Sequence, residues 1–183
     1  MCEFWLALLE PTGLTFSYSN RYEATPAHLQ AREDLRSWRS SSQPKEIYSY
    51  AKEKLNAAGI SVYSAMYNLT DWETDGEIDY AFEAAKTLGT NILRANCTVK
   101  SIKRGAPFAD KHNVLLAAHS ELAPFDTQIN GMVFSNNLID ALKYSPNMRI
   151  TLDTGHFTAY GGDALAFVRE HHDKIVNLHL KDV

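Results

Sequence analysis

The sequence predicts an α/β fold built on a parallel sheet. Segments rich in β-branched and aromatic residues alternate with segments of helical periodicity, and the links between them are short. A strand and the helix after it recur at intervals of roughly 30 residues, which suits a (β/α)8 barrel or a doubly wound sheet. No GxGxxG or P-loop motif follows a predicted strand, which disfavours the nucleotide-binding versions of these folds.

Several predicted helices carry residues that are typical of helix ends. Pro44 lies in the first turn of one helix, and Asp163 is the predicted N-cap of another. Thr74 and Glu77 have the spacing of a capping box, and Gly89 ends the helix that they begin. The predicted helices are 44–59, 74–89, 136–145 and 163–172, a short helix around 26–38 in a long polar loop over 11–43, and helical segments on either side of Gly105-Ala106-Pro107 within 98–112.

Six segments are predicted to be strands. They are 1–9, 59–66, 90–96, 114–120, 149–153 and 174–182. A complete barrel has eight strands and eight helices in about 250 residues, whereas this sequence has six strands and about five helices. If the fold is a barrel, this count predicts a single domain over residues 1–183 that is truncated at both ends, with about six of eight βα units.

Composition excludes several classes of function. The net charge is −4, which argues against broad nucleic-acid binding, because that activity needs a basic surface. Cys2 and Cys97 form no CxxC motif and no disulfide framework, so we expect reduced thiols. The apolar start lacks a basic region and is interrupted by Glu3, and no stretch is long enough to cross a membrane. These features predict a cytoplasmic protein.

Three predicted strands end in residues that can bind a metal. Side chains alternate along a strand, so His119, Asp153 and His179 all lie on the face opposite the aliphatic one. In a barrel the aliphatic face packs on the helices, and the carboxyl ends of the strands form the mouth where active sites lie. Imidazole and carboxylate groups suit Mn²⁺, Zn²⁺, Co²⁺ or Fe²⁺. Their joint position predicts a divalent metal site.

Each of these residues also has a simpler explanation. Asp153 with Gly155 is typical of a polar turn, and His179 alone is typical of a hydrogen-bonded core histidine. His119 is the least specific of the three. The run His171-His172-Asp173 is typical of the solvated carboxyl end of a helix. Only the placement on three consecutive strands favours metal binding.

Two motifs in the last third of the chain give a resemblance to a known family. The stretches LDTGHFTAYGGD and HHDKIVNLHLKD, with their D-x-x-H and H-x-K-D patterns, resemble the sugar phosphate isomerase/epimerase family of xylose isomerase-like TIM barrels. The resemblance extends back through DLRSW, TDGEIDYAFEAAKTLG and APFADKH, so it covers most of the chain. It implies a single (β/α)8 barrel domain that is incomplete, with the first and last strands missing, and it does not specify a substrate.

The resemblance also implies roles for individual residues. In the family one divalent metal is held by Glu, Asp, His and Glu at the ends of strands five to eight, and Asp153 and His179 match the middle two. His119 stands where the first Glu is usual, and the last Glu belongs to a strand eight that this chain lacks. His156 matches a substrate-contacting histidine, Lys181 matches a polar residue of the mouth, and Glu121 is a candidate base. The metal would be Mn²⁺, Co²⁺, Zn²⁺ or Mg²⁺.

Three hypotheses about function follow. The first is a metal-dependent isomerase or epimerase that acts on a sugar or polyol by proton transfer through an enediolate, and that could form a homo-oligomer. The second is a non-catalytic remnant of a barrel with open edge strands. The third is an endonuclease of the same superfamily, which needs several zinc ligands and a basic groove. The net charge and the small ligand set disfavour the third.

Overall fold

Six strands form one parallel sheet. In the computed structural model, which describes residues 1–11, 25–120 and 135–181, the strands follow one another in the sheet in the order of the chain. They are β1 (Cys2–Trp5), β2 (Val62–Leu69), β3 (Ile92–Cys97), β4 (Leu115–His119), β5 (Met148–Asp153) and β6 (Ile175–His179). Every neighbouring pair is parallel, so the sheet is a half-barrel with six consecutive strands. The predicted incomplete (β/α)8 barrel is confirmed to this extent.

Helices connect the strands and cover the outer face of the sheet. They are α1 (Pro26–Arg39), α2 (Gln43–Ala57), α3 (Asp75–Leu88), α4 (Val99–His112), α5 (Ser135–Ala141), α6 (Thr154–Ala159) and α7 (Ala164–His171). No helix in the described ranges has the length and apolar character that a membrane span requires. The predicted end residues of α3 have the expected roles. Thr74 and Glu77 form a capping box, and Gly89 ends the helix with a left-handed φ of 90°.

The hydrophobic core lies between the helices and the outer face of the sheet. Leu116 of β4 and Ile150 of β5 are fully buried there. Phe82, Ile102 and Leu138 reach the same core from α3, α4 and α5, and they are also fully buried. Each such side chain contributes about 1.5–3 kcal/mol through the removal of apolar surface from water. The predicted aliphatic faces of the middle strands therefore pack against the helices.

Helix α4 differs from the prediction. The sequence Gly105-Ala106-Pro107 was expected to separate two helical segments, yet the helix continues through Pro107. Proline disfavours a helix interior, so packing must compensate. A β-carbon on Gly105 would lie 2.9 Å from Leu116 Cδ2 and 3.0 Å from Leu69 Cδ2, which shows how closely the helix approaches the sheet here. Local sequence does not reveal this close packing, which accompanies the uninterrupted helix.

Other element boundaries also differ from the prediction. The first strand ends at Trp5 and is followed by a 3₁₀ turn over Leu6–Leu8, whereas a strand over 1–9 was expected. The last strand ends at His179, and Leu180 beyond it is exposed. The segment after Asp153 forms the short helix α6, which the sequence did not predict.

The inner face of the sheet is polar. Its buried polar side chains are Ser64, Arg94, Asn96, His119, Thr151 and Asp153. This is the alternation that the sequence predicted for β4 and β5, with polar residues facing the barrel interior. The two edge strands also approach each other through side chains, because Asn177 Nδ2 of β6 donates to Glu3 Oε2 of β1 at 3.0 Å. The interior is thus a small polar space that reaches the carboxyl ends of the strands.

Candidate metal centre

The three predicted metal ligands are each the last residue of a strand. His119 ends β4, Asp153 ends β5 and His179 ends β6. Asp153 pairs directly with His179, while His119 pairs with Thr151, two residues before Asp153. Because the strands are parallel neighbours, this register places all three side chains at one edge of the sheet. Asp153 is fully buried and His119 is nearly so.

The nitrogen and oxygen atoms of these three residues form a compact triangle. His119 Nε2 lies 3.1 Å from His179 Nδ1. Asp153 Oδ2 lies 3.6 Å from His179 Nδ1 and 3.8 Å from His119 Nε2. Two ligands about 2.1 Å from a common ion are separated by roughly 3.0–3.4 Å at octahedral and tetrahedral angles. The three atoms are therefore spaced as ligands of one divalent ion would be, with small adjustments at the carboxylate.

The protonation states of the buried groups favour the same arrangement. Burial, together with the nearby positive charge of Arg94, lowers the pKa of His119 to about 2, so its imidazole is neutral at physiological pH. Burial alone would raise the pKa of Asp153, but the hydrogen bond from the His156 backbone N–H and the Lys181 ammonium outweigh it and lower that pKa. A neutral imidazole and an ionised carboxylate are the forms that bind metals.

Local structure holds the Asp153 carboxylate in place. Asp153 is the N-cap of α6, and its Oδ1 accepts the His156 backbone N–H at 3.0 Å. Its own backbone N–H donates to Ser120 Oγ at 2.7 Å, which ties the end of β5 to the end of β4. One carboxylate oxygen is thus used by the helix, while Oδ2 faces the two imidazoles.

His156 and Lys181 lie beside the triangle. The His156 ring contacts the Ser120 carbonyl through Nδ1 at 3.1 Å, and because a carbonyl only accepts, Nδ1 carries the proton. Nε2 then has a lone pair, and the Lys181 ammonium lies 3.2 Å from it. The same ammonium lies 2.7 Å from Asp153 Oδ2. A proton acceptor and a proton donor therefore lie side by side next to the candidate ligands.

Gly155 is required by the close approach of Lys181. A β-carbon at Gly155 would lie 2.8 Å from Lys181 Cβ, too close for two carbon atoms. Gly155→Ala is therefore expected to displace the end of β6 and to lower the free energy of unfolding by about 1–3 kcal/mol. Urea unfolding measures this loss. Gly76→Ala is the matched control, since its β-carbon meets only Thr74 Oγ1 at 3.9 Å, and equal stability of the two variants would contradict the prediction.

The structure brings five of the six predicted site residues together. His119, Asp153, His179, His156 and Lys181 share the contacts given above. The sixth, Glu121, lies in 121–134, outside the described residues. The run over 171–173 lies away from these five residues at the end of α7, where His171 packs on Phe167.

Ser120 and Glu3 are among the residues that contact the site without having been predicted. Ser120 follows His119 directly and contacts both Asp153 and His156, but a serine at a strand end gives no distinctive signal. Glu3 of β1 reaches into the barrel, where its Oε2 lies 3.8 Å from His179 Nε2. A charged residue within the apolar run MCEFW was the available signal for Glu3, and the strand alternation would have placed it on the inner face.

Solved structures with this fold include several enzymes. The probable 3-DHS dehydratase AsbF involved in petrobactin synthesis from Bacillus anthracis aligns with 75% of this chain at a TM-score of 0.59 and 16% identity. A sugar phosphate isomerase/epimerase from Parabacteroides distasonis aligns with 74% at 0.53 and 15%, and the D-allulose 3-epimerase of Methylomonas sp. with 74% at 0.57 and 15%. This chain spans 57% of the length of each. At these identities the similarity shows a common fold.

The sequence itself identifies the family. None of the curated proteins is significantly similar to the chain. The profile of the xylose isomerase-like TIM barrels matches residues 23–183, a range that includes β2 to β6 and the candidate metal ligands. The parallel half-barrel and its structural neighbours agree with that match. The chain therefore belongs to the xylose isomerase-like TIM barrel family.

Proposed function

We propose that this chain carries the metal site of an isomerase or epimerase that acts on a sugar or related polyol. The observation that supports the proposal is the triangle of His119, Asp153 and His179 with the His156–Lys181 pair beside it. A bound divalent ion would stabilise negative charge on the substrate oxygens next to a carbonyl group. Three protein ligands leave coordination positions for those oxygens. The sugar epimerases among the structural neighbours favour this substrate class.

His156 and Lys181 are the residues that we assign to proton transfer. His156 Nε2 carries the lone pair, which faces the Lys181 ammonium in the free protein, so once Lys181 turns to the substrate, Nε2 accepts the proton from the carbon next to the carbonyl, and the C–H electrons form the enediolate. The Lys181 ammonium, 3.2 Å from Nε2, hydrogen-bonds the oxygen on which charge develops. Return of the proton to the neighbouring carbon, with passage of the hydroxyl proton to the former carbonyl oxygen, gives an isomerase. An epimerase needs a second acid on the opposite face of the substrate, a role for which Glu121 is the candidate from the sequence.

The cysteines, the net charge and an exposed leucine bear on the compartment, the substrate class and the oligomeric state of the proposed enzyme. Both cysteines are free, in keeping with a reducing compartment such as the cytoplasm. The net charge of −4 favours a small-molecule substrate over nucleic acid. Leu178, on the outward face of the edge strand β6, is 41% exposed, and an apolar edge of this kind favours a homo-oligomer.

Deuterium exchange tests the proposed function. The protein is incubated with MnCl₂ and a panel of ketoses, aldoses and their phosphates in D₂O, and proton NMR follows loss of signal at the carbons next to the carbonyl. We expect exchange with at least one sugar. Lys181→Met should retain manganese, because the ammonium competes with the ion for Asp153, while exchange falls by about 10²–10⁴-fold.

The matched control for this experiment is Lys174→Met. Lys174 is paired with Asp173 at the protein surface, away from the candidate site, so its loss should leave both metal binding and exchange unchanged. A protein that binds manganese but exchanges no sugar faster than free manganese would show the proposal to be wrong. A protein that binds no divalent metal would favour the non-catalytic remnant.

A further inference from the structure

Glu3 of β1 reaches across the interior of the half-barrel to the opposite edge strand. Its Oε2 atom accepts a hydrogen bond from Asn177 Nδ2 at 3.0 Å and one from Ser64 Oγ at 3.4 Å. Arg94 Nε lies 3.7 Å from the same oxygen, and His179 Nε2 lies 3.8 Å from it. Donors from β2, β3 and β6 thus converge on one carboxylate oxygen of β1.

The His179 ring lies between the Glu3 carboxylate and the other two candidate ligands, His119 and Asp153. Its Nδ1 faces His119 Nε2 at 3.1 Å and Asp153 Oδ2 at 3.6 Å, whereas its Nε2 faces Glu3. An imidazole that binds an ion through one nitrogen carries its proton on the other. That proton is usually donated to a carboxylate, a backbone carbonyl or water, which fixes the ring and makes it a better ligand.

We propose that Glu3 is a positioning residue whose carboxylate accepts a hydrogen bond from the Nε2–H of His179 and thereby directs Nδ1 to the metal. This inference rests on the metal site of the proposed function. Glu3 lies beyond the nitrogen of His179 that faces away from the triangle, so it contacts the ligand and is not itself a ligand. The 3.8 Å separation is longer than a hydrogen bond, so the proposal requires a small rotation of the His179 ring toward Glu3.

The surroundings of Glu3 hold its carboxyl group in place beside a cation. Arg94 is the cation beside it, and its side chain is 95% buried. Among the described residues, Arg94 Nε and Nη1 have no hydrogen-bond partner, so this cation serves chiefly by its charge. Asn177 is two residues before His179 on the same strand and shares its face, so its hydrogen bond holds Glu3 next to the His179 ring. Charge and position together suit a carboxylate that orients a metal-binding histidine.

The variant Glu3→Gln tests the proposal by its metal affinity. Gln keeps the size and the acceptor for Asn177 but removes the charge that attracts the Nε2 proton. We expect isothermal titration calorimetry to show Mn²⁺ and Zn²⁺ binding weakened by roughly 10- to 100-fold. Because Glu3→Gln also removes the carboxylate beside the buried Arg94 guanidinium, circular dichroism first checks that the metal-free variant is folded at the temperature of the titration. Ser64→Ala is the matched control, because Ser64 contacts the same oxygen and lacks charge, and its metal affinity should remain that of the wild type.

A second measurement does not depend on any variant. Nitrogen NMR of the zinc-loaded wild type distinguishes the two ring nitrogens of His179, and we expect zinc on Nδ1 and the proton on Nε2. Zinc on Nε2 would overturn the proposal. Wild-type affinity in Glu3→Gln would also overturn it and leave the proposed function intact. Absence of metal binding by the wild type would overturn both, so the two failures are distinguishable.

Discussion

The Asp153→Asn protein is expected to lose most of its affinity for divalent metals. Asp153 supplies the negative charge among the three candidate ligand residues, and its Oδ2 faces both imidazoles. Removing a ligand atom should cost more than the roughly 10- to 100-fold that follows from changing a residue behind a ligand. We expect at least that loss for Mn²⁺ and Zn²⁺, measured by titration calorimetry.

The substitution is chosen to leave the fold intact. Asn and Asp are about equally good N-caps, so the amide oxygen can still accept the His156 backbone N–H that begins α6. Asp163→Asn is the matched control, since Asp163 caps α7 through the Ala166 backbone N–H but lies outside the triangle. If both variants bind metal as the wild type does, the three residues are not a metal site.

Strand periodicity was sufficient to predict the part of the fold that builds the triangle. His119, Asp153 and His179 were assigned to one face of three successive strands from alternation alone, and parallel pairing brings them to one edge. The parallel sheet followed from the same reasoning, because strand and helix signals alternate strongly along the chain. Alternation left a doubly wound sheet open, and the resemblance to the family favoured the barrel. These features depend on local sequence and on general rules of sheet topology, both of which a single sequence contains.

Features that depend on distant contacts were not predicted. Glu3 reaches His179 and Asn177 across 174 residues or more of sequence, and no local pattern links them. Helix α4 continues through Pro107 at a place where Gly105 packs closely on Leu116 of β4, a contact that local sequence does not contain. Helix α6 was missed for a different reason, because it is too short for periodicity to indicate.

Arg39 is the centre of a buried ionic cluster on the helix side of the fold. Its guanidinium donates to Glu10 Oε1 at 2.9 Å and to Glu77 Oε1 at 3.0 Å. The side chains of Arg39, Glu10 and Glu77 are each 10% exposed or less, and Tyr80 donates a further hydrogen bond to Glu10. The cluster joins the segment after β1 to helices α1 and α3.

Arg39→Met is expected to destabilise the chain by about 3–5 kcal/mol, because it leaves two buried carboxylates without their shared cation. Urea unfolding at neutral pH measures the loss. The matched control is Lys143→Met, which removes the exposed pair with Asp140 and should cost no more than about 1 kcal/mol. Equal losses in the two variants would mean that Glu10 and Glu77 are hydrated well enough to be stable without Arg39.

The difference in the free energy of unfolding between the wild type and Arg39→Met is expected to be smaller at acidic pH. Burial alone would raise the pKa of Glu77, but the hydrogen bond from the Thr74 backbone N–H and the charge of Arg39 lower it below its ordinary value of 4.5. A carboxyl group with a lowered pKa stabilises the fold above its ordinary pKa, and this contribution is lost as the pH falls through the folded value. The wild type therefore loses stability on acidification, whereas the variant lacks this contribution from Arg39 at every pH. Urea unfolding at neutral pH and near pH 4 measures this difference. If the two proteins differ in stability by the same amount at both pH values, the charge of Glu77 is not the cause of the loss in Arg39→Met.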